Sequence, residues 1–254
     1  MQRTDTLPAL RQAVYRACGF LVLLVLWQVA GKSGIMGRTL PALTDVLHVY
    51  TMGPRRALLL RAALATTSSA GLGLLLGAVL GCLTALTAYV IPMLAPGLDR
   101  LAVVVSALPA IALGPILIVT AGRQATPVLL AAIPVYFLLY VASSSGLRSA
   151  DQHLGQLFQA NGAGVWKRFL YLDSISAVPA LLSGLKLAVS TAMVGAVVGE
   201  WFGAPKGLGI VILNTMQNFQ IPLMWATVLV VASISLSAYG LLGWVERALQ
   251  RRLA

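Results

Sequence analysis

Residues 62–98 read AALATTSSAGLGLLLGAVLGCLTALTAYVIPMLAPGL and contain no Asp, Glu, Lys or Arg. A helix rises about 1.5 Å per residue and a bilayer's hydrocarbon core is about 30 Å thick, so roughly 20 apolar residues suffice to cross it. The same absence of charge recurs at 17–31, 101–122, 124–147 and 207–245, and residues 174–199 hold only Lys186. In hydrocarbon the backbone must satisfy its own hydrogen bonds, so each run reads as a helix. The runs are continuously apolar, without the alternation that a transmembrane barrel needs.

Composition supports that reading. Of 254 residues, 59% are hydrophobic and 10% charged, against about 25% charged in an ordinary soluble domain. Too few polar side chains exist to cover a globule of this size, and the same numbers exclude disorder. Cys18 and Cys82 lie far apart in apolar segments, which excludes a disulfide scaffold. The net charge of +11 comes from singly scattered basic residues, which fit membrane topology rather than a nucleic-acid surface.

The expected architecture is an all-α polytopic bundle of about six helices, near 17–35, 64–90, 99–120, 126–147, 177–199 and 223–245. The first is the weakest. Arg11 and Arg16 before it and Ala30-Gly31 after it also fit a signal peptide; a retained anchor is expected, because every later span stays in the membrane. With both termini cytoplasmic, 10 Lys and Arg lie inside (Arg3, Arg11, Arg16, Arg100, Arg148, Lys167, Arg168, Arg247, Arg251 and Arg252). Seven lie outside: Lys32, Arg38, Arg55, Arg56, Arg61, Arg123 and Lys206. That bias sets the orientation. Gly73, Gly77 and Gly81 share one helix face and predict a close helix–helix approach. Pro109 and Pro115 are expected to interrupt the third span, and Pro134 the fourth.

Residues 148–177 are too polar to cross. They read as two short helices around a break at Gly162, with Leu154, Leu157 and Phe158 on one apolar face and Val165, Trp166, Phe169 and Leu170 on another. Such a face either packs on the protein's own helix ends or meets a partner, and the pattern leaves both open.

At this loop the chain resembles the permease subunit of bacterial ABC importers, the binding-protein-dependent transport family, in the branch serving nitrate, taurine and alkanesulfonates. That family carries Glu-Ala-Ala, three residues, then Gly, with a Pro-rich close. Here Gly162 takes the glycine position, followed by Ala163 and Trp166, and Pro179 takes the final proline. The Glu-Ala-Ala positions fall on Gln156, Leu157 and Phe158, and the first proline on Ile175, so the charge is lost and two small residues are bulky. Leu40-Pro41, Leu108-Pro109 through Pro115 and Gly122, Glu200 with Gly207-Leu208-Gly209, and Glu246-Arg247 extend the resemblance from about residue 40 to the end.

The resemblance implies a type I importer permease fold. Residues 1–39 form the N-terminal tail, first span and start of an outer loop; residues 40–254 form the permease core, with 148–177 as the coupling loop. It implies two cytoplasmic ATPase subunits, a second copy of the permease, and a periplasmic or lipid-anchored solute-binding protein, all acting at the bacterial cytoplasmic membrane. The expected function is import of a small solute, such as a sulfonate, taurine, nitrate or similar compound, by alternating access. The alternatives are an ion-coupled carrier or, further off, a membrane-embedded enzyme; neither the paired carboxylates nor the His-Glu-x-x-His helix of such an enzyme is present.

The expected coupling residues are Gln156, Leu157, Phe158, Gly162, Ala163, Trp166, Lys167, Arg168 and Phe169, with Trp166 and Phe169 as knobs in a cleft and Lys167 and Arg168 pairing at its rim. Ser106, Pro109, Lys186, Ser190, Met193 and Glu200 are candidates for the solute path, although Lys186 also fits snorkelling to the inner interface and Glu200 a solvated helix end. Gly31-Lys32-Ser33 lacks the earlier glycine of a phosphate loop, since Leu26 stands there, so ATP is expected on a separate chain and no cofactor on this one. His48 and His153 stand apart from any ligand cluster, so no metal is expected.

Overall fold

The computed structural model describes residues 6–34, 37 and 39–253. Arg3, Arg38, Ala254 and the end of the first expected span at residue 35 lie outside the described residues. The helices are α1 (Thr6–Ser33), α2 (Leu43–Val49), α3 (Gly53–Val90), α4 (Ala95–Ala107), α5 (Ala110–Ala121), α6 (Thr126–Arg148), α7 (Gln152–Ala160), α8 (Val165–Arg168), α9 (Ser174–Glu200), α10 (Leu208–Gln217) and α11 (Ile221–Leu253), with no strand among the described residues.

Among the described residues four helical segments are long and apolar enough to cross a membrane: Gly53–Val90, Thr126–Arg148, Val165–Glu200 and Ile221–Leu249. The third of these joins α8 to α9. Pro92–Ala107 and Ala110–Ala121 together make a fifth only as a pair bent by 94°, and the apolar part of α1, Ala17–Ser33, is shorter. Helices run past the charge-free stretches because a helix need not stop where the hydrocarbon does. Thus α3 begins eleven residues before the expected span, with Pro54 in its first turn, a position that lacks an intrahelical N–H partner in any case.

The third span is therefore not one straight helix. Pro109 breaks it, whereas Pro115 and Pro134 lie inside continuous helices. The residue before a proline is driven out of the helical region, and Leu108 accordingly sits at φ −70°, ψ 122°.

The centre of the bundle is α6, held on two faces by glycine. A Cβ built on Gly73 would lie 2.5 Å from Ala131 Cβ, one on Gly77 2.5 Å from the Ala132 carbonyl oxygen, and one on Gly81 2.6 Å from that of Tyr136. Both series rise together, so α3 and α6 are parallel. From the other side, Gly195 meets Leu130, Gly199 meets Pro127 and Gly184 meets Ala142, so α9 is antiparallel to α6. Between these seams lie Ala70, Ala131, Val135, Leu139, Ala188, Ala192, Met193 and Ala196, all buried. Lipid tails are as apolar as these side chains, so the association rests on close van der Waals packing. The first span leans on α2 and α11, where the Trp27 indole N–H donates to the Pro41 carbonyl at 3.1 Å and its ring tilts on Trp225 at 5.2 Å.

Candidate functional site

The connection between α6 and α9 is a built structure. Asp151 caps α7, its carboxylate accepting from the His153 N–H at 2.7 Å, which satisfies one of the orphan donors of the first turn. The helix ends in a complete Schellman arrangement: the Ala163 N–H donates to the Phe158 carbonyl at 3.0 Å and the Gly162 N–H to that of Gln159 at 2.9 Å. Gly162 stands at φ +69°, the left-handed C′ position that glycine fills without a Cβ penalty. The break expected at Gly162 is therefore a defined turn.

Beyond it the chain does not return to a second separate helix. Val165–Arg168 runs through a single π turn, Phe169–Asp173, directly into α9. Leu157, Trp166, Leu170 and Tyr171 are exposed, Trp166 by 64%. Gln156 and Lys167 are also exposed, while Phe158 and Ala163 are half-buried. Phe169 is not a free knob. Its ring takes the edge of Trp166 at 5.9 Å and tilts on Tyr89 of α3 at 5.5 Å.

Arg168 is not a free rim charge either. Its Nε donates to the Asp173 carboxylate at 3.1 Å, and Asp173 is fully buried. The same oxygen accepts from the Tyr89 hydroxyl at 2.5 Å. A Cβ on Gly155 would sit 3.3 Å from the guanidinium, so α7 lies against Arg168. Asp173 and Tyr89 were not expected as site residues, because their pairing spans 84 positions.

The expected path residues are dispersed. Ser106 and Pro109 stand exposed at the bend, and Ser190 is half-buried. Met193 is buried and lines an apolar cavity of about 320 Å³ between α3, α9 and α11. Glu200 is neither a solvated helix end nor open to a path. It is 1% exposed, and its Oε2 accepts from the Gly209 N–H at 2.7 Å at the start of α10. Gly207, at φ +142°, has no room for a Cβ against that carboxylate.

Lys186 has an internal partner. Its Nζ donates to Glu246 at 2.9 Å and lies 5.0 Å from the centre of the Tyr239 ring, while Ser183 donates to the other Glu246 oxygen at 2.6 Å. Removing one member of such a pair strands the other. Glu246→Leu is therefore expected to lower the melting temperature of the detergent-solubilised protein, and Lys186→Met combined with it to recover most of the loss, as read by thermal-shift fluorescence.

At the bundle end away from the α6–α9 connection lie two adjoining cavities of about 470 and 640 Å³. Arg61, Pro205 and Lys206 line both, and Ser68, Ser69 and Gln124 line the larger. Among the described residues neither Arg61 nor Lys206 makes an ion pair. Nor do any three His, Cys, Asp or Glu side chains gather there as metal ligands.

Residues 73–251 match the family model described as the binding-protein-dependent transport system inner membrane component. The chain belongs to this transport permease family. It is 30% identical over 234 residues to the formylaminopyrimidine transport permease protein ThiX of Halalkalibacterium halodurans, covering 92% of this chain and 91% of that one. It is 34% identical over 175 residues to a probable ABC transporter permease protein of Haemophilus influenzae, covering 68% of this chain and 71% of that one. Against the putative aliphatic sulfonates transport permease protein SsuC of Bacillus subtilis it is 27% identical over 241 residues, 90% and 83% of the two chains.

In fold the permease is similar to a chain of the MetNI methionine ABC transporter in an inward-facing conformation, with a TM-score of 0.67 at 17% identity, covering 78% of this chain and 98% of that one. The type I importer permease fold is thereby established, in a multi-pass membrane protein. The permease is a transport subunit and not an enzyme, and its family implies ATP use by a partner ATPase and delivery of solute by a binding protein.

Proposed function

We propose that the permease imports a small anionic solute, such as a sulfonate, by ATP-driven alternating access, and that residues 148–177 couple it to the ATPase. The carrying observation is the exposed surface of Leu157, Trp166, Leu170 and Tyr171 beyond the bundle end, held in shape by the Gly162 turn. A large exposed aromatic on a rigid support is the kind of anchor that concentrates binding energy. Two copies of the permease sit on two ATPase subunits, with both termini of each permease in the cytoplasm. Residues 40–254 form the working core, and residues 1–39 the added tail and span.

The anionic cargo is supported by the cavities at the opposite end. Among the described residues Arg61 and Lys206 make no ion pair, and Ser69 and Gln124 add hydrogen-bonding groups. Arg61 and Lys206 are exposed on the wall of one cleft, and like charges lining a cleft raise the local anion concentration. This end carries Arg55, Arg56, Arg61, Arg123 and Lys206, against the usual preference for basic residues on the cytoplasmic side.

The test is reconstitution in proteoliposomes with the ATPase and binding protein. The permease alone is expected to hydrolyse no ATP, and the complex to hydrolyse it and accumulate labelled ethanesulfonate. Arg61→Gln with Lys206→Gln is expected to lower that uptake roughly tenfold, in line with losing two charge-assisted contacts. Hydrolysis by the permease alone overturns the reading, and unaltered uptake in the double variant overturns its anionic part.

A further inference from the structure

We propose that Asp173 is the positioning residue that ties the coupling loop to the transport helices, acting through Arg168 and Tyr89; the proposal rests on the coupling role given above to residues 148–177. Three ion pairs occur among the described residues; Arg168–Asp173 is the one that lies wholly within residues 148–177, and the Tyr89 hydroxyl of α3 donates to the same carboxylate oxygen and so joins the pair to the bundle. The π turn is what permits it. On an α-helix, at about 100° per residue, positions five apart point roughly 140° away from each other. The wider turn of Phe169–Asp173 closes i to i+5 and brings such positions together on one side. Single π turns of this kind occur frequently at functional sites.

Two lines of contact run from α8 to Tyr89 of α3. One is aromatic, from Trp166 to Phe169 to Tyr89. The other is polar, from Arg168 to Asp173 to the Tyr89 hydroxyl. Tyr89 lies in the last turn of α3, a helix of 38 residues, about 57 Å long at 1.5 Å per residue. Arg61, Ser68 and Ser69 line the far cavities from the same helix. Motion imposed on Trp166 therefore reaches the solute end along one continuous rod.

Stability alone does not account for Asp173. It is fully buried, yet its Oδ1 has no donor among the described residues. A half-satisfied buried carboxylate is costly, and an apolar side chain in its place is often as stable. The Arg168–Asp173–Tyr89 clasp supplies instead a directional link that apolar packing does not.

The experiment uses the complete reconstituted complex and reads ethanesulfonate uptake per ATP hydrolysed. Asp173→Asn keeps the shape of the side chain, and Tyr89→Phe keeps the ring on Phe169 while removing the hydroxyl. Each is expected to retain ATP hydrolysis while uptake per ATP falls roughly tenfold, within the range seen when coupling elements are altered. The double variant is expected to be no worse than the more affected single one, because the two residues act as a unit.

Unchanged uptake per ATP in both variants overturns the proposal. So does a parallel fall of uptake and hydrolysis that follows the melting temperature, since that marks a merely structural role. If Asp173→Asn is not recovered folded, Tyr89→Phe alone decides. Trp166→Ala and Gly162→Pro separate the levels: wild-type uptake in both defeats the coupling role of the loop, whereas a defect in either beside wild-type clasp variants defeats the clasp alone.

Discussion

Gly77→Leu is expected to abolish recovery of the folded permease from membranes. A Cβ at this position would lie 2.5 Å from the Ala132 carbonyl oxygen and 2.8 Å from Val135 Cβ. The first of these is backbone, which no rotamer change can move aside. Relief would require α6 to shift, and α6 is pinned on its opposite face by Gly195, Gly199 and Gly184 of α9. Overpacking an already dense core typically costs about 1–3 kcal/mol, and forcing apart two backbones that pack within van der Waals contact exceeds that. Total stability is only about 5–15 kcal/mol. Gly71→Ala, on the same helix, is the control: no atom lies within 4 Å of a Cβ there. It is expected to be neutral or to stabilise by up to about 1 kcal/mol through helix propensity. Size-exclusion profiles and thermal melts in detergent separate the two outcomes.

Gly162→Pro is expected to reduce uptake to background while leaving the bundle folded. Proline fixes φ near −65° and has no N–H, whereas Gly162 needs φ +69° and donates to the Gln159 carbonyl. The Schellman turn cannot survive, so α7 loses its angle to α8. Trp166→Ala removes the exposed anchor and its contact with the Phe169 ring, and leaves the buried core between α3, α6 and α9 intact. Truncation of an anchoring tryptophan weakens docking by about 2 kcal/mol or more, roughly thirtyfold. For both variants the melting temperature of the isolated permease is expected to stay at the wild-type value, and uptake with ATPase association in proteoliposomes to be lost. Wild-type uptake in both would remove the loop from the coupling role.

The bundle was legible because hydrocarbon imposes a rule that every span obeys locally, the exclusion of charge over about 20 residues. The face shared by Gly73, Gly77 and Gly81 was legible for the same local reason, although which helix it meets was not. The Gly162 turn could be read from one residue, since only glycine fits its conformation cheaply. The polar links could not. Lys186 meets Glu246 sixty residues away and Tyr89 meets Asp173 eighty-four away, and helical periodicity reports only neighbours three and four apart. Arg168 and Asp173 are close in the chain, yet they pair only through a π turn that no residue pattern announced. Glu200 reads as a path residue or a solvated helix end because charge closing an apolar segment suggests water. The carboxylate is instead enclosed by Gly207 and Gly209, and their small size was the available signal.

The bend at Leu108–Pro109 restricts what one flank of this molecule can touch. It follows thirteen residues of α4, about 20 Å of rise, well within a hydrocarbon core of about 30 Å. Carbonyls released where α4 stops have no helical partner, and acyl chains cannot supply one. Leu108 is nonetheless 45% exposed on the single chain. Oil is thus an unsuitable solvent for this side, which must be wetted or sealed by polypeptide whenever the protein sits in its native bilayer.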